Sequence, residues 1–181
     1  MSRKFGAIRQ LGFVVRDPIA AMHYWADTLG VGPFYVMENV TFGDYRYRGQ
    51  PSPPPLVTLG FAHSDELQIE IIAQHNNAPS GYLDFLASGR EGWQHVSSWF
   101  GNRHDYDSAY KKALDEGAEV IHEGSMGPAR FSYFNTYGES GYGVAFELAE
   151  GLIPEFKPLL ELLKSEAANW DGSDPIRPAP Q

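Results

Sequence analysis

QLGFVVRDPIAAMHYWADTLGVGPF, residues 10–34, is the stretch on which the reading of the fold turns. Its first residues belong to a β-forming run, residues 7–15, which predicts a strand. Asp17 followed by Pro18 reads as a helix N-cap with proline at the first helical position. Ile19, Met22, Ala26 and Leu29 then recur at steps of three, four and three, which is one face of a helix. Gly30 is placed to end that helix. Residues 34–38 begin a second strand.

Working outward, residues 42–48 predict a short strand, and PSPPP at 51–55 excludes helix and central strand, so it reads as a loop. Residues 56–62 and 66–73 predict two strands joined by a turn around His63-Ser64-Asp65. Residues 79–89 predict a short helix with Tyr82, Phe85 and Leu86 on one side. The plan then repeats. Residues 94–100 read as a strand, Asp105 or Asp107 caps a helix running to about Glu116, and Gly117 stops it. Residues 118–122, 130–137 and 142–149 read as strands, the last two separated by the turn 138–141. Two units, about 5–75 and 92–150, thus share the order β-α-β-β-β within a single domain spanning 1–150. This order favours an α+β fold with mixed sheets, not a doubly wound parallel sheet, which needs a helix between successive strands. Residues 158–168 predict a C-terminal helix, and DGSDPIRPAPQ, 171–181, a loose tail.

The composition narrows the function. The 181 residues carry a formal net charge of −9, which argues against a nucleic-acid partner. No apolar run approaches the roughly 18 residues of a membrane span, and the N-terminus lacks the continuous apolar stretch of a signal peptide, so a cytoplasmic location is expected. There are no cysteines, which removes disulfides, thiolate metal sites and cysteine nucleophiles. Any metal site must use His, Asp, Glu, Gln or water.

Strand faces alternate with period two. Leu11, Phe13 and Val15 oppose Gln10, Gly12 and Val14; Leu67, Ile69 and Ile71 oppose Gln68, Glu70 and Ile72. Val96 opposes His95, Ser97 and Trp99; Val144, Phe146 and Leu148 oppose Ala145, Glu147 and Ala149. Each apolar face can lie under a helix, while the other carries one residue able to bind a metal: Gln10, Glu70, His95 and Glu147. A lone carboxylate on the outer face of a sheet is ordinarily just solvated. Here two such residues recur in each half, and if the faces meet, one imidazole and three oxygen donors suit zinc, nickel, cobalt, manganese or iron(II).

These segments, with LQIEIIAQ, EGWQHVSSWF and GYGVAFELAE, resemble the vicinal oxygen chelate superfamily over residues 8–150. That superfamily includes glyoxalase I, methylmalonyl-CoA epimerase, extradiol dioxygenases and bleomycin-resistance proteins. The segment from strand through Asp17 to LGVGPF resembles most the glyoxalase-like and epimerase-like branch. The resemblance implies two βαβββ modules forming a cup-shaped mixed sheet, helices on the outer side, with one divalent metal ion on the cup floor. Carried over by position, the metal ligands are Gln10, Glu70, His95 and Glu147, the set expected of a glyoxalase I. Dioxygenases use two His and one carboxylate, so Gln10 speaks against an oxygen-activating iron site.

The activity implied is that of a metal-dependent isomerase or lyase, lactoylglutathione lyase-like, which removes a proton next to a metal-bound carbonyl. Glu147 is the expected catalytic base and Glu70 its partner. The alternatives are an acyl-CoA epimerase-like enzyme, a dioxygenase-like metalloenzyme, or a metal-free protein that sequesters a drug in the cup. The expected partner is a small molecule with vicinal oxygens, whether a thiol adduct, an acyl-CoA or an aromatic compound; a homodimer is also implied. For the pocket, Tyr45, Tyr47, Trp93, Trp99, Tyr133 and Tyr137 are candidate aromatic walls, and Arg46, Arg48 and Arg130 candidate anion holders. His23, His63, His75, His104 and His122 show no metal spacing and read as surface or capping residues.

Overall fold

In the first module, β1 (Ile8–Val14) leads into α1 (Pro18–His23), a π-helical turn (Tyr24–Thr28), β2 (Phe34–Val40), and the antiparallel pair β5 (Val57–Ser64) and β6 (Leu67–Gln74). These elements come from a computed structural model, which describes residues 3–135 and 143–180. Asp17 caps α1 as expected, its carboxylate accepting from the Ala20 N–H at 3.0 Å, a contact worth roughly 1 kcal/mol. The apolar stripe is narrower than the spacing predicts. Met22 and Ala26 are buried, but Ile19 and Leu29 are 47% and 48% exposed. The helix widens into the π turn after six residues, which shifts the later side chains off the 3.6-residue register.

The second module repeats the plan with β7 (Gly92–Trp99), α3 (Arg103–Asp115), β8 (Glu119–Met126), β9 (Ala129–Asn135) and β10 (Ala145–Ala149). Asn102, not Asp105 or Asp107, caps α3, accepting from the Asp105 N–H at 2.9 Å. The predicted turn at 138–141, Tyr137 and the first residue of the 142–149 strand lie outside the described residues. In each module the first strand runs parallel to the last, β1 with β6 and β7 with β10. The two first strands, β1 and β7, pair antiparallel at the centre. One curled sheet of 11 strands results.

The first module carries an insertion. β3 (Gly43–Tyr47) and β4 (Gln50–Pro51) form a hairpin that pairs with β8, the edge of the second module. Proline at 51 is tolerated because β4 is the sheet's edge. α1 lies outside the sheet over a cluster containing Met22, Phe34 and Ile71, and α3 over one containing Tyr106, Ala113 and Leu148. The inner face carries its own apolar cluster, including Val14, Leu59, Ile72 and Tyr133. α2 (Gly81–Ala87), capped by Ser80, inserts Tyr82 and Phe85 into this inner cluster.

The C-terminal segment corrects one expectation. α4 (Lys157–Ala168) forms as the pattern predicts, but the tail beyond it is not loose. Residues Ile176–Pro178 form β11, a parallel edge strand on β2, with the Phe34 N–H bonded to Pro175 O and the Ala179 N–H to Val36 O. Prolines are compatible with this position because an edge strand needs donors on one side only. Arg177 reaches Glu166 on α4 at 2.8 Å, so the tail also straps α4 in place. α4 packs against β5 on the concave side, with Leu163 buried. Among the described residues, no helix is long and apolar enough to cross a membrane.

Candidate active site

The strand registers set four polar side chains side by side. Gln10 on β1 pairs with Gln68 on β6 and Ser97 on β7; Gly12 pairs with Glu70 and His95; Ala145 pairs with His95 and Glu147 with Ser97 on β10. Gln10, Glu70, His95 and Glu147 therefore point into one place, and all four are buried. His95 Nε2 is the hub. Gln10 Oε1 lies 3.3 Å away, Glu70 Oε2 3.3 Å and Glu147 Oε2 3.7 Å.

Neighbouring amides orient the donors. The oxygens of Gln94 and Gln10 can only accept, and the shorter contact, 2.9 Å from Gln94 to Nδ1 against 3.3 Å from Gln10 to Nε2, favours the tautomer with its proton on His95 Nδ1 and a lone pair on Nε2. Burial pushes the His95 pKa down to about 4, so the ring is neutral at pH 7. Gln10 donates its NH₂ to Gln68 Oε1 at 2.8 Å, which turns its own oxygen toward the hub. Gln68 in turn donates to His63 Nε2 at 3.1 Å. The Tyr82 hydroxyl donates to Tyr133, whose hydroxyl lies 3.5 Å from His95 Nε2.

One nitrogen and three oxygens thus present lone pairs to one another in a buried place. Glu70 Oε2 makes no hydrogen bond of ordinary geometry. Burial raises the Glu70 pKa to about 8; burial also raises that of Glu147, to about 7, with His95 beside it pulling it back down. Carboxylates in such a setting need a proton or a cation. The only cation in the described cavity wall, Arg130, is held elsewhere by Glu150 at 2.8 Å and Asp107 at 2.9 Å. Among the described residues, no group of three or more His, Cys, Asp or Glu side chains is placed to hold a metal ion. Gln10, Glu70, His95 and Glu147 nonetheless suit a divalent ion in the kind and number of their donors, three oxygens and one imidazole nitrogen.

Gln10, Glu70 and Glu147 line the floor of a cavity of about 340 Å³, in the range of small-molecule sites, while His95 itself is fully buried. A larger cleft of about 570 Å³, lined by Arg48, Asp84 and Arg90 among others, touches none of the four donors, so the smaller cavity is the candidate site. Of the expected aromatic walls, Trp99 and Tyr133 line it. Tyr45 is turned to His122 and the Pro79 carbonyl, Tyr47 bonds Asp84, and Trp93 is 49% exposed. Of the candidate anion holders, Arg48 pairs with Asp84 and Arg46 with the Gly49 carbonyl. His63 and His122 are corrections. Both are buried, not surface residues; His122 Nδ1 accepts from the Gly81 N–H at 3.3 Å.

Sequence reasoning passed over Gln68 and Gln94. Gln68 carried a signal, since it shares the face of Glu70 two residues on. Gln94 carried none, because strict alternation puts it on the face opposite His95.

A family model described as Glyoxalase/Bleomycin resistance protein/Dioxygenase superfamily matches residues 9–134. The chain belongs to that superfamily. Its structure is similar to methylmalonyl-CoA epimerase from Mycobacterium tuberculosis, at 16% identity over 90% of this chain and 96% of that one, with a TM-score of 0.54. It is also similar to a hypothetical protein from Bacillus halodurans C-125, at 14% identity over 79% of this chain and 92% of that one, again with a TM-score of 0.54. At these identities the likeness is one of fold. No curated protein matches the chain. The vicinal oxygen chelate superfamily member described here has the mixed α+β architecture, built of paired modules, that its sequence implies.

Proposed function

We propose that this protein is a divalent-metal-dependent isomerase or lyase of the glyoxalase type, which moves a proton at a carbon next to a carbonyl. The observation that supports this most is the convergence of Gln10, Glu70 and Glu147 on the bare Nε2 of His95. In this reading those four residues hold the ion. Zinc, nickel, cobalt or manganese held there would supply Lewis acidity toward a carbonyl and its neighbouring oxygen.

The chain's own groups do the rest. Glu147 takes the proton from carbon at its carboxylate, and Glu70, across the hub, is placed to return a proton from the other side. Gln68 and Gln94 act as positioning residues, fixing the orientation of Gln10 and the tautomer of His95.

The test is proton exchange. Protein loaded with each of the four metals is incubated in D₂O with hemithioacetal adducts of α-ketoaldehydes, formed with glutathione or with uncharged thiols, with uncharged aryl α-hydroxyketones and with acyl-CoAs, and deuterium incorporation is followed by NMR. The expected result is exchange with at least one substrate class, abolished in Glu147→Gln while fold and most of the metal are kept. Exchange at an unchanged rate in that variant would remove Glu147 from the mechanism.

A further inference from the structure

We infer that the cup takes an uncharged carbonyl compound with an apolar body, aromatic or branched alkyl, and not a polyanionic conjugate; this rests on the proton-transfer reading of the same site. Two observations carry it. The first is the wall. Above the polar floor, the cavity is enclosed by Leu59, Phe61, Phe131 and Trp99 from the sheet. Leu160 and Leu163 from α4 cover it. A group placed against these side chains exchanges water for hydrocarbon, which rewards apolar area and penalises charge.

The second is the charge balance. A substrate carrying carboxylates or phosphates needs cations to meet them. Arg130 is the one cation among the described residues of the wall. Its guanidinium is bonded through Nε and Nη2 to Glu150, touches Asp107 through Nη1 and stacks on the Tyr106 ring at 4.5 Å. Two carboxylates already answer this one positive charge, so the cluster is net negative and repels an anion. A divalent ion on the floor would be balanced by Glu70 and Glu147, leaving no surplus positive charge for a second anionic group. At about 340 Å³ the cavity lies near the lower end of small-molecule sites, so a body of one or two rings fills it.

The experiment is calorimetric titration of zinc-loaded protein with 2-naphthohydroxamic acid, which joins an apolar body to a chelating pair of oxygens. Acetohydroxamic acid has the chelating head without the body. 2-Acetylnaphthalene has the body without the head, and S-hexylglutathione and CoA are the polyanionic comparisons. We expect the naphthyl hydroxamate to bind at least about tenfold more tightly than acetohydroxamate, and more tightly than either polyanion. Leu160→Glu should erase that advantage with zinc affinity unchanged. Because a charge at Leu160 also challenges the packing of α4, Met126→Glu, in the wall on β8, is the second variant, with the same expectation. Equal affinity for the two hydroxamates, or tighter binding of S-hexylglutathione or CoA, overturns the inference. If the protein takes up no zinc, the metal reading fails separately. 2-Acetylnaphthalene then decides this inference alone: binding weakened by Met126→Glu supports it, and no binding overturns it.

Discussion

Replacing Gly12 with alanine adds one methyl group where β1 passes the imidazole of His95. The two residues are register partners on adjacent strands. A Cβ at Gly12 would lie 1.7 Å from His95 Cε1 and 2.2 Å from both ring nitrogens. Ordinary contact begins near 3.4 Å, so the ring must retreat by about 1.7 Å or turn away. Metal–ligand distances tolerate only about 0.2 Å. The ring therefore cannot accommodate the methyl group and still serve the hub. Gly12 is not among the glycines with positive φ, so alanine is permitted by the backbone and the effect is spatial. The account predicts zinc affinity lower by at least about 100-fold, with a stability loss of about 1–3 kcal/mol from overpacking. Gly60→Ala is the control. Its Cβ would meet the flexible Met22 side chain at 2.5 Å on the outer face, so it should cost stability and leave zinc affinity intact. Competition titration against a chromophoric chelator, with circular dichroism for the fold, reads both variants. Wild-type zinc affinity in folded Gly12→Ala protein would refute the reasoning.

Other perturbations probe the surroundings. Gln94→Leu removes the acceptor from His95 Nδ1–H and should weaken zinc binding by about 10–100-fold, measured by the same titration. In metal-free protein, the pKa values of Glu70 and Glu147 are raised from 4.5 to about 8 and about 7. The folded state then holds these protons when the unfolded chain has released them, so the stability they contribute is full below pH 4.5 and is lost as pH rises toward 8. Thermal unfolding should therefore show a Tm that falls from pH 6.5 to 8, above the range in which the buried histidines act; Glu70→Gln should flatten that slope, and a wild-type slope in the variant would contradict it. Arg177→Ala removes the strap to Glu166; global stability should change little for so exposed a pair, with hydrogen exchange accelerated in α4 but not in β1 or β7.

Much of this was legible before the structure. The alternation of Gln10 and Gly12 against Leu11 and Phe13, and of Gln68 and Glu70 against Ile69 and Ile71, survives in the two separate clusters that these faces enter. Period-two patterning is local, and a sheet packed on both sides preserves it. What stayed hidden depends on long-range partners. The tail 171–181 reads as loose because its prolines forbid a central strand, yet β2 supplied an edge where they are allowed. His122 looks unremarkable in sequence; only the packing of α2 against β8 brings the Gly81 N–H to it. The position of α4 on the concave side, which gives the pocket its leucines, has no signature in an amphipathic pattern, since a helix needs an apolar stripe to pack on either face.

Metal content is the most direct test of the central claim. Protein purified without a histidine tag is assayed by elemental mass spectrometry, before and after loading with zinc, nickel, cobalt or manganese, beside the double variant His95→Ala, Glu147→Ala. The account predicts close to one divalent ion per chain in the wild type and none retained by the variant. No uptake of any of the four metals by folded wild-type protein, or equal uptake by the variant, would contradict it.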